Sequence, residues 1–567
     1  MVPKGYGCLK FAVISTSPTI FPTWQANCLT QLLDYEHAEL ALIIVPEYKQ
    51  KRMSKWRYLL KNSRFLFWML FYKYLVLPKL KAMVPRDMSS TLQNTEIKKI
   101  KFRSFNRRTQ TIYCDDEDLK NLKIRDLDFI LHFEDSILKG EILNAAKYGV
   151  WRFHYGAPEY DGELPPAFWE TFNKSDSITV TLQRLTEDLD RGYILHKGEL
   201  FCSQFSCKGT YRTNLDRVLL STTYFPKRAC QELIHSNTDI IRNYPFQEKK
   251  VAIKTKPNNC DMLKYFFHLS SRIYSWLVTH PKITMMSWRI GVIERPIESF
   301  VQTTSINEHS IKYINSDLKK YFMADPFGVS PYEEGTGLIL FEKFDQIQEE
   351  GKISYLKWDN GREFQGEDNI LETPGHLSYP YLICENGALY CIPESSASNE
   401  VSLWKRANTG KWYKKTILIH DFPAVDITIM YSKDYWWLFC THKEMGDNSH
   451  LFIWYSKTLT GSWQQHALNP VKCDIRSSRP AGTPFIIDDI IYRPSQNCAG
   501  RYGKSIMVNR IKSLSPTSFQ EEFCCEIQPP LGKQGMHTIS KFGSNAVLID
   551  VYSKPIFSFR KLKKLWI

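Results

Sequence analysis

Apolar runs of strand length alternate with helix-spaced stretches through the first third of the chain. "LKFAVIST" (9–16) is followed by "WQANCLTQLLDYE" (24–36), whose apolar positions recur at helical spacing, and then by the apolar run "AELALIIVPE" (38–47). "LDFILHF" (127–133), "KGEILNAAKYG" (139–149) and "VWRFHYG" (150–156) repeat the order strand, helix, strand. Such alternation predicts an α/β domain with a parallel, doubly wound sheet over residues 1–204. Sites in these sheets lie beyond the carboxyl ends of strands, where His154 falls.

The pattern then changes twice. Helical spacing over 213–234 and 262–277, with a linker-like "VAIKTKPNN" (251–259) between, predicts a helical connector over 205–284. From Trp288 on, runs such as "GLILFEKF", "ITIMYSKDYWWLFCT" and "TPFIIDDIIYRPSQ" lie between turn residues. The blocks recur about every 45 residues, as four-stranded propeller blades do. An all-β five-bladed propeller over 285–567 is expected, with a sandwich as the alternative.

Composition narrows the class. At 567 residues the chain exceeds one ordinary core, and 43% hydrophobic with 24% charged residues is a globular balance. Lys and Arg outnumber Asp and Glu by 74 to 60, which admits nucleic acid, anionic lipid or phosphorylated ligands. Nucleic acid is disfavoured because no zinc-finger spacing, RNA-binding aromatic signature or arginine-rich tract occurs. The 14 cysteines form no CxxC pair, so no metal site is expected. "MVPKGYGCLKFAVIST" reads as a first strand rather than a leader, and the expected compartment is the cytoplasm. "RFLFWMLFYKYLVLPKLKAMV" (64–84) is strongly apolar, but Lys73 and Pro78 interrupt it. A helix packed on its own domain is the preferred reading. The alternative is an interfacial helix at an anionic membrane, beside the basic segments 49–57 and 559–567.

Over roughly residues 9–200 the motifs carry a resemblance. "LDFILHFEDSILKGEIL", "GVWRFHYGAPEYDGELPPAFWE" and "SITVTLQRLTEDLDRGYIL" are similar, in order and spacing, to the formyltransferase fold of methionyl-tRNA and sugar N-formyltransferases. The resemblance implies His154 as the proton-accepting histidine and Asp190 as the aspartate that tunes it. Tyr160, Gly162 and Pro165 would form the substrate loop and Gly192 its turn. It also implies N10-formyltetrahydrofolate as donor, bound near residues 133–140. Two positions depart: Arg152 stands where the family has its oxyanion-stabilising asparagine, and Asp161 replaces the arginine of Tyr-Arg-Gly. Arginine donates from a longer, charged fork, so the chemistry is less firmly implied than the fold.

The last half carries another. "ADPFG" (324–328), "GHLSYPYL" (375–382), "VDITIMYSKDYWWLFCT" (425–441), "IYRPSQNCAGRYGKSI" (491–506) and "GMHT" (535–538) stand in order. They resemble the glycosidase-43-like N-terminal domain of plant glucosamine inositolphosphorylceramide transferases over roughly residues 285–560. The resemblance implies a central pocket with Asp325 as base or nucleophile, Glu394 as acid and Asp426 as the residue that tunes its partner. His376, Arg479 and Gln496 would be its other polar groups. Any one of these carboxylates alone would read as a turn or cap residue.

The leading expectation is formyl transfer to an amino sugar carried on a nucleotide or lipid, with the propeller binding or processing the same glycan. The alternative is propeller-centred glycosyl transfer or hydrolysis with an altered first domain. A non-enzymatic sugar-binding scaffold at a membrane ranks third. Initiator-tRNA formylation is disfavoured because no tRNA-binding barrel follows.

Overall fold

The computed structural model describes residues 7–48, 62–106, 111–134, 136–156, 165–187, 192–203, 210–235, 256–279, 284–315, 321–331, 335–359, 362–364, 366, 368–371, 373, 375–554 and 556–557. Tyr160, Gly162, Asp190 and the basic segments 49–57 and 559–567 lie outside these residues. The chain falls into two compact units, Met1–Ile273 and Tyr274–Ile567.

The first unit is built on β1 (Leu9–Ile14), β2 (Ile20–Pro22), β3 (Ala38–Tyr48), β4 (Pro85–Asp87), β5 (Glu96–Asn106) and β6 (Thr111–Cys114). It continues with β7 (Phe129–His132), β8 (Ile137–Lys139), β9 (Val150–Tyr155), β10 (Ser177–Arg184) and β11 (Tyr193–Phe201). Nine of them form one sheet in the order β11-β10-β9-β7-β1-β3-β5-β6-β8. The expected parallel core is present, since β3, β1, β7 and β9 run parallel. The sheet as a whole is mixed, because β10 and β11 are antiparallel to their neighbours and β6 is antiparallel to β5. The expected parallel sheet is thus present as the central strands of a mixed one.

Apolar side chains on both faces of the central strands explain why they sit in the middle. Phe11, Phe129 and Trp151 stack across β1, β7 and β9, with ring centroids 5.1 and 3.9 Å apart. Helices Thr210–Ser221 and Asn259–Thr279 pack on this unit through aromatic contacts. Tyr211 lies 5.6 Å from Trp68, and Tyr265 lies 5.5 Å from Phe168. The apolar segment 64–84 forms a broken helix, α-helical over Leu66–Leu70, π-helical over Phe71–Val76 and 3-10 over Leu77–Lys79. Among the described residues no helix is long and apolar enough to cross a membrane.

The second unit is a five-bladed β-propeller. Blade 1 runs outward from Tyr321–Val329 through Gly337–Asp345 and Glu350–Asp359 to Arg362–Phe364. Blade 2 spans Ser378–Glu385 to Trp412–His420, blade 3 starts at Ala424–Ser432, and blade 4 spans Phe485–Ile487 to Ser518–Ile527. Blade 5 closes the ring. Its inner strands Ile539–Phe542 and Ala546–Tyr552 come from the end of the chain, and its outer ones, Trp288–Ile293 and Ile311–Tyr313, from the start of the unit. Closure ties the two ends of the unit into one blade. Packing between blades 4 and 5 is so close that a Cβ on Gly482 would sit 1.8 Å from the Ile539 carbonyl oxygen. Only glycine fits there.

Candidate functional site

The inner strands of blades 1, 2 and 3 share one device. Pairing slips by one residue between Ala324 and Phe327, between Ser378 and Tyr381, and between Val425 and Thr428. The residue after the start of each slip, Asp325, Tyr379 or Asp426, takes a left-handed φ of 50°, 45° or 50°. A β-bulge of this kind re-aims one side chain, and holding a non-glycine residue there costs about 1–3 kcal/mol. Two of the three re-aimed residues are buried aspartates.

The second strands supply their neighbours. Glu342 pairs with Ala324 and Glu394 with Ser378, so the two glutamates hold equivalent places in blades 1 and 2. Gln496 and Asp550 come from the second strands of blades 4 and 5. All are buried.

Asp426 is held tightly. Its Oδ2 accepts from Arg479 Nε and from Gln496 Nε2, each at 2.6 Å. Its backbone N–H donates to Glu394 Oε2 at 3.2 Å, and the Ser396 hydroxyl donates to Glu394 Oε1 at 3.2 Å. Arg479 also donates to Asn448 Oδ1 at 3.1 Å, and its guanidinium lies 4.9 Å from the centre of the half-exposed Tyr502 ring.

Asp325 belongs to a second group. Thr538 Oγ1 donates to its Oδ1 at 2.8 Å, and the Asp325 N–H donates to Asp550 Oδ2 at 3.1 Å. Asp550 accepts the backbone N–H groups of His537 and Thr538 at 3.0 Å and faces His537 Nδ1 at 2.6 Å. The His537 ring stacks on Trp288 at 4.0 Å. Asp325, His537 and Asp550 offer ligand atoms all within 4.8 Å of one another, so these residues could also hold a cation.

Burial sets the proton balance. Loss of water raises the Asp325 carboxyl, and Asp426 and Asp550 add to the rise while His537 opposes it. Burial raises Asp426 too, with Arg479 pulling the other way. Glu342 is pushed well above the ordinary range by burial and then by Asp325 and Glu394. Burial works against the His537 cation, but Asp550 and Asp325 outweigh it and raise the group. Several acids so close cannot all ionise, and the cluster retains protons near neutral pH.

The structure thus brings together Asp325, Glu394, Asp426, Arg479 and Gln496. His376 stands toward the solvent side, with Nε2 3.6 Å from Glu342 Oε1. Its Nδ1 accepts the Gly351 N–H at 3.0 Å, which leaves the proton of the neutral ring on Nε2. Sequence reasoning missed Glu342, His537, Thr538 and Asp550. A signal for Asp550 was available, a lone acid in the apolar run "AVLIDVY".

In the first unit, His154 lies at the end of β9 opposite Thr181. Arg152, two residues earlier on the same strand face, turns its guanidinium to the Ser136 carbonyl at 3.5 Å. Burial, then the Arg152 charge, lowers the adjacent His132 to about 3. Pro165 is buried just before the helix Phe168–Asn173, and Gly192 precedes β11.

The propeller also aligns with known proteins. Residues 307–537 match the family described as glucosamine inositolphosphorylceramide transferase 1, N-terminal. The glucosamine inositolphosphorylceramide transferase 1 of Arabidopsis thaliana is 34% identical over 216 residues, covering 37% of this chain and 28% of that protein. Its counterpart in Oryza sativa subsp. japonica is 30% identical over 208 residues, covering 35% and 27%. The chain therefore spans little more than a quarter of these relatives. Among solved structures, a family 117 glycoside hydrolase from Zobellia galactanivorans covers 49% of this chain and 92% of its own, at 12% identity and a TM-score of 0.31. An α-L-arabinofuranosidase from Podospora anserina covers 48% and 98%, at 9% identity and 0.31. Likeness of that degree carries nothing about chemistry.

These matches overturn formyl transfer as the main function. The family match lies in the propeller, and the relatives are named for glucosamine inositolphosphorylceramide transfer, not for one-carbon chemistry. With that reading goes the reason for expecting N10-formyltetrahydrofolate.

Proposed function

We propose that the propeller mouth handles the glycosidic bond of a lipid-linked sugar, with the headgroup of an inositol-phosphate glycolipid as its substrate class. The observation that carries this reading is the pair of buried aspartates re-aimed by the same bulge in blades 1 and 3, with one held by a cation and the other by a protonatable network. Making or breaking a glycosidic bond requires one carboxyl that gives a proton to the leaving oxygen and another that takes one from the incoming hydroxyl. Asp325, raised toward neutrality, suits the proton acceptor. Glu342, kept neutral by burial, suits the donor and replaces Glu394, the choice from sequence. Glu394 instead braces the Asp426 backbone, and Asp426 stays an anion beside Arg479. The headgroup is taken from the names of the relatives, and the small share of their length spanned here leaves the sugar donor open.

The test incubates the full chain with a glucosaminyl inositolphosphorylceramide and follows sugar release or transfer by mass spectrometry. Asp325→Asn and Glu342→Gln are expected to lower turnover by about a hundred- to ten-thousandfold. His154→Ala is expected to leave it within about twofold, since catalysis is not routed through the first unit. If the aspartate and glutamate variants keep full turnover, the reading falls.

A further inference from the structure

In the first unit the broken helix 66–79 and the helix Asn259–Thr279 lie side by side and leave a joint apolar face uncovered. Asn259 ties them, accepting the Phe67 N–H at 3.1 Å and donating to the Ser63 carbonyl at 3.0 Å. Phe71 and Phe266 meet at 5.7 Å between ring centroids. Trp68, Val76 and Leu80 point inward and are buried, which accounts for the packing on its own domain expected from sequence. The outward side is different. Leu70, Tyr74 and Leu75 on one element and Leu263, Phe266 and Phe267 on the other are exposed, Tyr74 by 60% and Phe267 by 73%. Single exposed apolar residues are ordinary, but two adjoining elements that both turn aromatic and aliphatic side chains outward mark an interaction surface.

Charge says what kind. Between residues 62 and 84 stand Arg64, Lys73, Lys79 and Lys81, and no Asp or Glu. Residues 49–61 outside the described set add six more Lys or Arg and again no acid, by sequence alone. The stretch 48–84 therefore carries ten positive charges, against a net of +14 for the whole chain. Lys73 lies 5.1 Å from the centre of the exposed Tyr74 ring, so a cation and an aromatic share one spot. Exposed Tyr, Phe and Leu rimmed by Lys and Arg match the boundary of a membrane, where rings enter the headgroup layer and cations meet anionic lipid. A protein partner would more often call for mixed charge around the apolar centre.

We propose that this face docks the first unit onto an anionic lipid surface, lying in the interface and not spanning it. The proposal stands apart from the reading of the propeller, because binding needs no glycolipid.

The test is co-sedimentation of the full chain with vesicles of equal phosphatidylcholine and phosphatidylserine, and with phosphatidylcholine alone. Tyr74→Ser/Leu75→Ser/Phe267→Ser changes exposed positions only, and its fold is checked by circular dichroism. Acidic vesicles are expected to bind the wild-type chain, raised salt to weaken binding, and the triple variant to lose about tenfold or more in affinity. Equal binding by the folded triple variant overturns the proposal and transfers the effect to other basic segments. Absence of vesicle binding overturns it too. So does self-association that the triple variant abolishes in a chain that ignores vesicles, which would make a second copy the occupant.

Discussion

The propeller mouth and β9 each carry charged side chains on their strands, and they differ in what brings those side chains together. At the mouth, Asp426 has Arg479, Gln496 and Glu394 about it, and Asp325 has Thr538, Asp550 and His537. These partners come from blades far apart in sequence, and the bulges in blades 1 and 3 turn Asp325 and Asp426 toward them. At β9, Arg152 and His154 come from one strand, two residues apart on the same face, and Arg152 donates to the Ser136 carbonyl. Convergence of partners from several blades is what makes the mouth a built site.

A contrast inside the propeller sharpens this. Blade 4 carries a buried ion pair unconnected with the mouth, in which Glu521 accepts from Arg493 Nε at 2.9 Å and Nη2 at 2.7 Å and lies 2.8 Å from Lys472 Nζ. Burial alone would raise Glu521, but Arg493 and Lys472 hold it down at about 2. Glu521→Gln would leave the buried Arg493 cation without its counter-charge. The expected cost is about 3–5 kcal/mol, read as a lower urea midpoint with unchanged slope. A cost below about 1 kcal/mol would show that the pair is not structural.

The mouth should respond to pH with the opposite sign. Asp325 is raised to about 7, whereas an unfolded aspartate titrates near about 3.9. The native state keeps a proton that the unfolded chain releases, so this contribution is full below about pH 4 and is lost as pH rises through about 7. For Glu521, with an unfolded value of about 4.3, the contribution is full above that pH and is lost as pH falls toward 2. Urea titrations across pH 4 to 7 are expected to show stability falling by up to about 1.4 kcal/mol per pH unit for each retained proton. In Asp325→Asn the fall should flatten, and the variant should be about 1 kcal/mol more stable at pH 7. Asparagine accepts the Thr538 hydroxyl equally well, tolerates the left-handed backbone and brings no buried charge. A loss of stability in Asp325→Asn would place Asp325 with Glu521 as a structural residue.

Much of the fold was legible in sequence, because strand-length apolar runs report burial directly. β1, β3, β7 and β9 fall where the runs lie, and the recurrence of short strands after Trp288 resolves into five blades. The helix expected over 139–149 shrinks to a 3-10 turn at Glu141–Asn144. Gly140 and Gly149, with φ of 83° and 73°, break it at both ends, and Ile137–Lys139 pairs with β6 instead. Antiparallel β10 and β11 carry the same apolar signature as parallel strands, so strand direction was not readable. At the site, Asp325, Glu394, Asp426, Arg479 and Gln496 were legible through motif order. Glu342 was not, and Asp550 gave only the hint of a lone acid in an apolar run, because each takes its place in the site from a pairing. Glu342 matters through its match to Ala324, and Asp550 through a blade closed by strands more than two hundred residues apart.

The smallest expected effect compares two exposed tyrosines, each beside an arginine. Arg184 lies 6.0 Å from the centre of Tyr193 in the first unit, and Arg479 lies 4.9 Å from the centre of Tyr502 in the second. The pair at Tyr193 is worth about 0.5–1 kcal/mol and the one at Tyr502, whose arginine is largely buried, up to about 2 kcal/mol, so neither Tyr→Ala change should move the urea midpoint as far as Glu521→Gln. The difference lies in what the rings border. Tyr502 also packs edge-on to His537 at 5.3 Å, so its free face is a platform at the rim of the acid cluster, where a sugar ring could stack. Tyr502→Ala is expected to weaken binding of a glucosaminyl inositol phosphate headgroup about five- to tenfold by calorimetry, with turnover at saturation changing less than KM. Tyr193→Ala is expected to change neither. Equal effects of the two substitutions would mean that the headgroup does not rest on the propeller rim, even if the acids beneath it act as proposed.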